Sequence, residues 1–242
     1  MSDEPIFVLD KRLALYQPPD GLRTSVDTIF LASACPAQGS ETVLDVGCGV
    51  GAAGLCVLAR QPDAKLTGLD IQADHIELAK RNAAFNGMKA LFIQGNIQDK
   101  PDLKTYDHII CNPPYRDSGA YLASPSSSKN IAIGHDALSL QDWTNFAWHH
   151  IKGQGSLTMI HDAAYTDSVI RALYSERGKR RFGGVEIIPL YPKANMAAKR
   201  IIVRAWKHRK SPTTLHAGLI IHNIDNTYTK KADDILRHAA SL

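Results

Sequence analysis

Short apolar runs alternate with longer amphipathic stretches along most of this 242-residue chain. The runs over residues 42–46, 65–70, 90–93 and 106–111 each stop at a turn-forming or polar residue. Apolar residues recur at helical spacing between them, most clearly over residues 73–86, which Gly87 ends. Strands that alternate with helices predict a mostly parallel, doubly wound α/β sheet.

The later part of the chain continues the same pattern. Further strands are predicted over residues 156–160, after a turn at 152–155, and over 185–190 and 201–206, with helices over 22–34, 138–151 and 165–175. The total is seven strands with helices on both faces. With 44% hydrophobic residues, the chain can form one domain over 1–242. We divide it into a cap segment (1–36), a catalytic core (37–207) and a C-terminal extension (208–242).

A glycine-rich turn follows the first of these strands and opens a helix. Gly47, Gly49 and Gly51 permit a tight turn and let a ligand approach the backbone. Together with Ala52, the first two also satisfy the dinucleotide fingerprint, so a nicotinamide cofactor has to be considered. Asp70, at the end of the second strand, could accept hydrogen bonds from the ribose hydroxyls of either cofactor, or could cap the next helix.

Two features favour S-adenosylmethionine over a nicotinamide cofactor. Asp45 lies two residues before the glycine turn, where a carboxylate would repel a pyrophosphate but suits the ammonium of a methionine moiety. The segment that follows the fourth strand has no role in hydride transfer; it consists of Asn112, Pro113, Pro114 and Tyr115.

This Asn-Pro-Pro-Tyr segment suits methylation of an exocyclic amino group on a base. Such a nitrogen is a poor nucleophile because its lone pair is delocalised into the ring. The side-chain oxygen of Asn112 and the carbonyl of Pro113 could accept its hydrogens and localise the lone pair, with both prolines fixing the backbone. Tyr115 offers a flat face to a flipped base, and only that face is expected to matter, so Phe would serve. The alternative is a plain turn after a strand.

Residues 43–51 resemble motif I of class I methyltransferases, and Leu69-Asp70 resembles motif II. Asn96 follows Gly95 where that family often has Asp. The resemblance implies a Rossmann-like class I fold and S-adenosylmethionine as cofactor. It implies cofactor contacts from Thr24, Asp27, Asp45, Gly47, Gly49, Asp70, Ile71, Asn96, Ile97 and Asn112. Thr24 and Asp27 also have the spacing of a helix capping box, and that alternative stays open.

Residues 17–27 and 192–200, and the ending with Tyr228 before a short helix, resemble the bacterial family that methylates N6 of the adenine 3′ to the anticodon in a valine tRNA. The implied activity is N6-methylation of a tRNA adenine. The Asn-Pro-Pro-Tyr motif also occurs in methyltransferases of cytosine N4, guanine N2 and a release-factor glutamine. These acceptors remain alternatives, as does a non-catalytic protein that binds S-adenosylmethionine or RNA.

The basic residues of the second half support an RNA partner. The net charge is only +4, but residues 187–224 contain no acid. The cations form two groups: Arg177, Lys179, Arg180 and Arg181, then Lys193, Lys199, Arg200, Arg204, Lys207, Arg209 and Lys210. We expect phosphate contacts from them, against the alternative of a solvated face.

Other features exclude several classes of protein. The four cysteines form no C-x-x-C pair and no cluster has zinc spacing, so we expect no metal and reduced thiols in a cytoplasmic protein. The acidic start predicts no signal peptide, and no apolar run is long enough to span a bilayer. The oligomeric state stays open, with a monomer as the expectation.

Overall fold

The structure is a computed structural model that describes residues 4–18, 24–99, 101–115, 138–175 and 178–242. Its strands are β1 (Ile6–Val8), β2 (Leu13–Leu15), β3 (Thr42–Val46), β4 (Lys65–Asp70), β5 (Ala90–Gln94), β6 (Tyr106–Cys111), β7 (Ile151–Asp162), β8 (Phe182–Tyr191), β9 (Arg200–Lys207), β10 (Thr214–Leu215) and β11 (Leu219–Ile220). Its helices are α1 (Val26–Ala34), α2 (Ala52–Arg60), α3 (Ala73–Phe85), α4 (Leu140–His150), α5 (Thr166–Ala172) and α6 (Lys230–His238).

The main sheet has the order β10-β8-β9-β7-β6-β3-β4-β5, with β11 also paired to β8. Strands β3 to β7 pair in parallel, while β9 runs antiparallel between β7 and β8. The predicted doubly wound α/β fold is confirmed in the seven strands from β3 to β9. Two short strands, β10 and β11, extend the β8 edge and were not predicted. No described helix has the length and apolarity needed to cross a membrane.

Strand β7 is longer than the sequence pattern predicts. The predicted turn at 152–155 lies inside the strand, where Gln154 adopts a φ of +66°. The pairing of β7 with β6 shifts register there, between Tyr106 and His108. A Cβ on Gly155 would lie 2.4 Å from the carbonyl oxygen of Asp107. The glycines therefore form an irregularity within a strand, not a turn before it.

The capping box predicted at Thr24 and Asp27 does not form. Helix α1 begins at Val26, and its N-cap is Ser25, which makes no side-chain capping bond. The carboxylate of Asp27 is used elsewhere, as described below. The predicted start at Leu22 lies outside the described residues.

Helix α3 holds the N-terminal segment through two asparagines. Asn82 is fully buried; its Oδ1 accepts from the Tyr16 amide at 2.8 Å, and its Nδ2 donates to the carbonyls of Tyr16 and Val50 at 3.0 Å. Asn86 bonds the amide and carbonyl of Ala14 in the same way. Because Val50 belongs to the glycine turn, Asn82 connects that turn to the N-terminal segment.

We expect Asn82→Ala to lower the free energy of unfolding by roughly 3 kcal/mol, since three buried backbone groups lose a partner at about 1 kcal/mol each. Urea unfolding measures the change. The matched control is Asn223→Ala, whose exposed side-chain amide bonds Thr227 and Tyr228 within the described residues; it should change stability by less than about 0.5 kcal/mol. Equal effects from the two variants would contradict the role of Asn82.

Candidate active site

The carboxyl ends of three neighbouring strands meet at one edge of the sheet. Val46 of β3 pairs with Leu69 of β4 on one side and with Cys111 of β6 on the other. Neighbouring strands lie about 4.8 Å apart. The glycine turn, the acid that ends β4 and the Asn-Pro-Pro-Tyr segment therefore lie side by side, as the sequence predicts.

All three glycines of the turn have left-handed backbones, with φ of +68° at Gly47, +53° at Gly49 and +82° at Gly51. Only glycine adopts these conformations readily. A Cβ on Gly47 would lie 2.8 Å from the Trp143 ring, whereas a Cβ on Gly49 would meet no described atom within 4 Å. The turn is thus packed behind Gly47 and open in front of Gly49, where a ligand can approach the backbone.

Asp70 connects the glycine turn to the loop after β4. Its Oδ2 accepts from the Gly49 amide at 2.8 Å and its Oδ1 from the Gln72 amide at 2.9 Å. It is not the N-cap of α3, which is Gln72. A carboxylate has about four acceptor positions, so two remain for ribose hydroxyls. Ile71, next to it, is 50% exposed and offers an apolar surface at the same edge.

Asp45 is a buried acid two residues before the turn. It is 2% exposed, and its Oδ2 accepts from the Gly54 amide in the first turn of α2 at 2.9 Å. Burial raises the pKa of Asp45 to about 7, although the Gly54 hydrogen bond opposes this rise. A nearby ammonium would stabilise the ionised form. The open face of Gly49, the remaining acceptor positions of Asp70 and this carboxylate together fit S-adenosylmethionine.

The other predicted cofactor residues follow β5 or precede α1. Asn96 is partly exposed and its Oδ1 accepts from the Gln98 amide at 3.0 Å, while Ile97 is buried. The Thr24 amide donates to the Gln17 side chain at 2.7 Å. The Thr24 hydroxyl is buried and has no partner within the described residues. Its contact with a cofactor stays a prediction.

The Asn-Pro-Pro-Tyr segment follows β6 directly. Asn112 is exposed, and its side chain makes no hydrogen bond with the described part of the chain. Pro113 is buried and Pro114 is exposed. The acceptor oxygen of Asn112 is therefore available to a substrate at this edge.

Tyr115 differs from the expectation that only its ring face matters. Its hydroxyl donates to Asp27 Oδ2 at 3.0 Å, and the guanidinium carbon of Arg200 lies 4.6 Å from the ring centroid. The His161 ring is 5.1 Å away, edge to face. Burial, with the negative charge of Asp27, raises the pKa of Tyr115, so the phenol stays protonated and is no base.

Sequence reasoning missed the roles of Arg200 and His161. Arg200 was counted among the RNA-contacting cations, and no motif marked it. His161 is 2% exposed near the carboxyl end of β7, and burial lowers its pKa. The position of His161 at the carboxyl end of a parallel strand, at the same edge as the other site residues, could have marked it as a site residue.

Several cations assigned to RNA have structural partners instead. Arg204 forms a 2.6 Å ion pair with Glu186, and Lys207 donates to the carbonyls of Trp148 and Ile151 at 2.7 and 2.8 Å. These two side chains therefore have structural roles, and phosphate contacts from the basic region stay a prediction. Arg177 lies outside the described residues.

The basic region also spans both edges of the sheet. Arg200 pairs with Asp162 at the carboxyl end of β7, whereas Trp206 pairs with Ser156 toward the opposite end. The connection over residues 192–199 therefore lies at the site edge, and residues 207–210 lie at the far edge.

Comparison with known sequences finds methyltransferases. Residues 23–127 match the family described as the methyltransferase small domain. The tRNA1(Val) (adenine(37)-N6)-methyltransferase of Vibrio campbellii is 28% identical over 153 residues, which are 62% of this chain and 63% of that protein. The release factor glutamine methyltransferase of Agrobacterium fabrum is 38% identical over 103 residues, which are 41% of this chain and 35% of that protein. The matches thus span less than two thirds of either relative.

A crystal structure of a predicted O-methyltransferase from Agrobacterium tumefaciens is similar over most of its length. It has a TM-score of 0.72 and 26% identity, and the match covers 89% of this chain and 98% of that one. This similarity supports a methyltransferase fold over most of the chain.

The raised pKa of Asp45 predicts pH-dependent binding of S-adenosylhomocysteine, which carries the same ammonium as S-adenosylmethionine. The bound ammonium favours the carboxylate, so binding releases a proton below about pH 7. The Kd should rise up to about tenfold for each pH unit below 7. Asp45→Asn should bind more weakly at pH 8, by about 1.5–3 kcal/mol, and lose this dependence.

Calorimetry in two buffers of different ionisation enthalpy measures both the affinity and the proton release. A wild-type Kd that is constant from pH 5.5 to 8 would contradict the role of Asp45 as ammonium partner.

Proposed function

We propose that this chain, whose residues 23–127 match the methyltransferase small domain and whose fold is that of the class I S-adenosylmethionine-dependent methyltransferases, methylates the exocyclic N6 of an adenine in tRNA. The observation that carries the proposal is the exposed Asn112 at the carboxyl end of β6, next to the glycine turn and without a hydrogen-bond partner among the described residues. A side-chain amide in this place can accept a hydrogen bond from an amino group.

The bound cofactor supplies a methyl group on a sulfonium, which is already a strong electrophile. The protein has to hold both partners and align them. In this proposal Asp70 and Ile71 hold the adenosine part, Asp45 and the glycine turn face the methionine part, and Asn96 and Ile97 border the adenine. Thr24 precedes α1, whose first turn contacts Tyr115 through Asp27.

Asn112 acts on the nucleophile. Its oxygen and the Pro113 carbonyl accept the two amino hydrogens and turn the lone pair toward the methyl group. The attraction grows as the nitrogen becomes positive, so it favours the transition state over the ground state. After methyl transfer the nitrogen loses one proton; the protonated Tyr115 cannot take it, and solvent is the expected acceptor.

Two features favour tRNA as the substrate. Residues 17–27 and 192–200 resemble the bacterial tRNA adenine-N6 family. The connection over residues 192–199 brings Lys193, which also donates to the Ile224 carbonyl, and the exposed Lys199 to the site edge. The matched share of the chain does not separate the acceptors, because a release factor glutamine methyltransferase of Neisseria gonorrhoeae matches 71% of it and the Vibrio campbellii tRNA enzyme 62%. A release-factor glutamine has the same planar amino nitrogen and is the alternative.

The test is methyl transfer from labelled S-adenosylmethionine to unmodified tRNA and, separately, to purified release factor. Nucleoside mass spectrometry of the tRNA should show N6-methyladenosine. Labelled guanosine would move the acceptor to guanine N2, and labelled ribose would indicate an oxygen acceptor. Label on the release factor alone would replace RNA by protein as the substrate.

We expect Asn112→Ala to lower kcat by about two to three orders of magnitude, the scale of a lost transition-state partner. Binding of S-adenosylhomocysteine and tRNA should stay within about twofold of wild type, because the hydrogen bond that is lost strengthens mainly in the transition state. Asn96→Ala is the contrasting variant: it should raise the KM for the cofactor and leave kcat nearly unchanged. A near-normal kcat for Asn112→Ala would mean that the segment is only a turn, and the amino-nitrogen acceptor would be wrong.

RNA binding should depend on the cations at the site edge and not on the whole basic region. Replacing Lys193 and Lys199 by Ala should weaken tRNA binding and reduce the slope of log K against log salt by about 1 for each phosphate group that is no longer neutralised. The control removes Lys65 and Lys89, an equal charge at the amino ends of β4 and β5. Equal decreases in affinity for both pairs would indicate unspecific attraction to the net positive charge.

A further inference from the structure

The Asp27 carboxylate receives two donors from different parts of the fold. The Tyr115 hydroxyl and Arg200 Nε both donate to its Oδ2, at 3.0 and 2.8 Å. Asp27 lies in the first turn of α1, Tyr115 follows β6 and Arg200 begins β9. One oxygen thus connects the cap segment, the segment that faces the substrate and the start of the basic strand.

Arg200 itself is held on two sides. Its Nη1 donates to Asp162 Oδ2 at 3.3 Å and to the Lys199 carbonyl at 3.0 Å, while its Nε points to Asp27. Asp162 of β7 and Arg200 of β9 are also paired through the backbone, and this pairing places their side chains next to each other. This fork needs a planar guanidinium, because a lysine ammonium cannot satisfy both carboxylates from one point.

The guanidinium also fixes the Tyr115 ring. It lies over the ring at 4.6 Å from the centroid, and His161 contacts the same ring from another direction. The side chains of Arg200 and Asp27 are 28% and 16% exposed, so solvent screens their pairing only in part. The ring, its hydroxyl and the first turn of α1 are therefore fixed relative to one another by a single arginine.

We propose that Arg200 is a positioning residue of the acceptor site: through Asp27 it locks α1 to Tyr115, so that the cap segment and the base-binding ring take their working positions together. This inference rests on the proposed function for its kinetic part. Arg200 touches neither the reacting nitrogen nor the methyl group and acts through Tyr115. Its replacement should weaken capture of the acceptor far more than it slows the chemical step.

A phosphate contact is the competing role for this arginine. Lysine serves as a point charge for phosphate, but it cannot replace the fork. Arg200→Lys therefore separates the two roles. In the positioning role, Arg200→Lys and Arg200→Gln should both raise the KM for the acceptor about tenfold, with kcat within about threefold of wild type. Recovery of the wild-type KM by lysine would overturn the proposal.

A double-mutant cycle tests the connection to α1. Asp27→Asn and Tyr115→Phe should each raise the acceptor KM, and each should add little to Arg200→Gln because the residues act as one unit. Arg204→Gln is the control, because Arg204 lies on the same strand as Arg200. The change breaks its partly buried pair with Glu186 and its hydrogen bond to the Ala34 carbonyl at the end of α1, and it leaves Tyr115 and the first turn of α1 untouched. It should lower stability without the rise in KM. Full additivity in the cycle, or an equal rise in KM for Arg204→Gln, would refute the connection.

Hydrogen exchange of the first-turn amides of α1 gives a readout that needs no acceptor. Exchange there should be faster in Arg200→Gln and Asp27→Asn than in the wild type, at equal bound S-adenosylhomocysteine. If the wild type methylates no RNA but this difference appears, the proposed substrate is wrong and the lock stands. If the wild type methylates RNA and neither exchange nor KM responds to Arg200→Gln, the lock is wrong and the substrate stands.

Discussion

The turn between β3 and α2 is the constraint on which the rest of the site depends. Three left-handed glycines turn the chain so that Gly49 faces open space while Gly47 packs against Trp143. Any side chain at Gly47 would displace that ring or the helix that carries it. The Asp70 carboxylate then holds the turn against β4, through the Gly49 amide. A rigid, open backbone next to an acid with free acceptor positions suits a ligand that donates hydroxyl groups.

Two acids of this site are both buried but accept different numbers of hydrogen bonds. Asp45 is buried with one amide donor, and burial raises its pKa to about 7. Asp70 has two amide donors and two remaining acceptor positions. Because folding raises the Asp45 pKa, its contribution to the stability of the free protein is present below the unfolded pKa near 4 and is lost as the pH rises through about 7. A bound ammonium offsets this decrease, which couples the affinity for the cofactor to the stability of the core.

Much of the fold could be predicted because strands β3, β4 and β6 are buried runs with sharp polar ends, and the observed bounds agree with the pattern. The errors have local causes. Glycines in β7 looked like a turn, since a bulge and a turn use the same residue. The site residues on consecutive strand ends could be predicted from topology alone. Arg200 could not, because its partners Asp27 and Asp162 are distant in sequence and only the antiparallel return of β9 brings them together.

The position of β9 also explains why charge along the sequence is a poor guide to the substrate surface. A strand of eight residues, Arg200–Lys207, carries its first cation to the site edge and its last to the opposite edge. Between them, Arg204 is neutralised by Glu186, although no acid lies near it in the sequence. The basic residues of this strand therefore have three different roles. Arg200 is the proposed positioning residue, Arg204 forms an ion pair with Glu186, and Lys207 donates to backbone carbonyls. The proposed RNA binding can therefore use the connection before β9, where cations and the Asn-Pro-Pro-Tyr segment share one edge of the sheet.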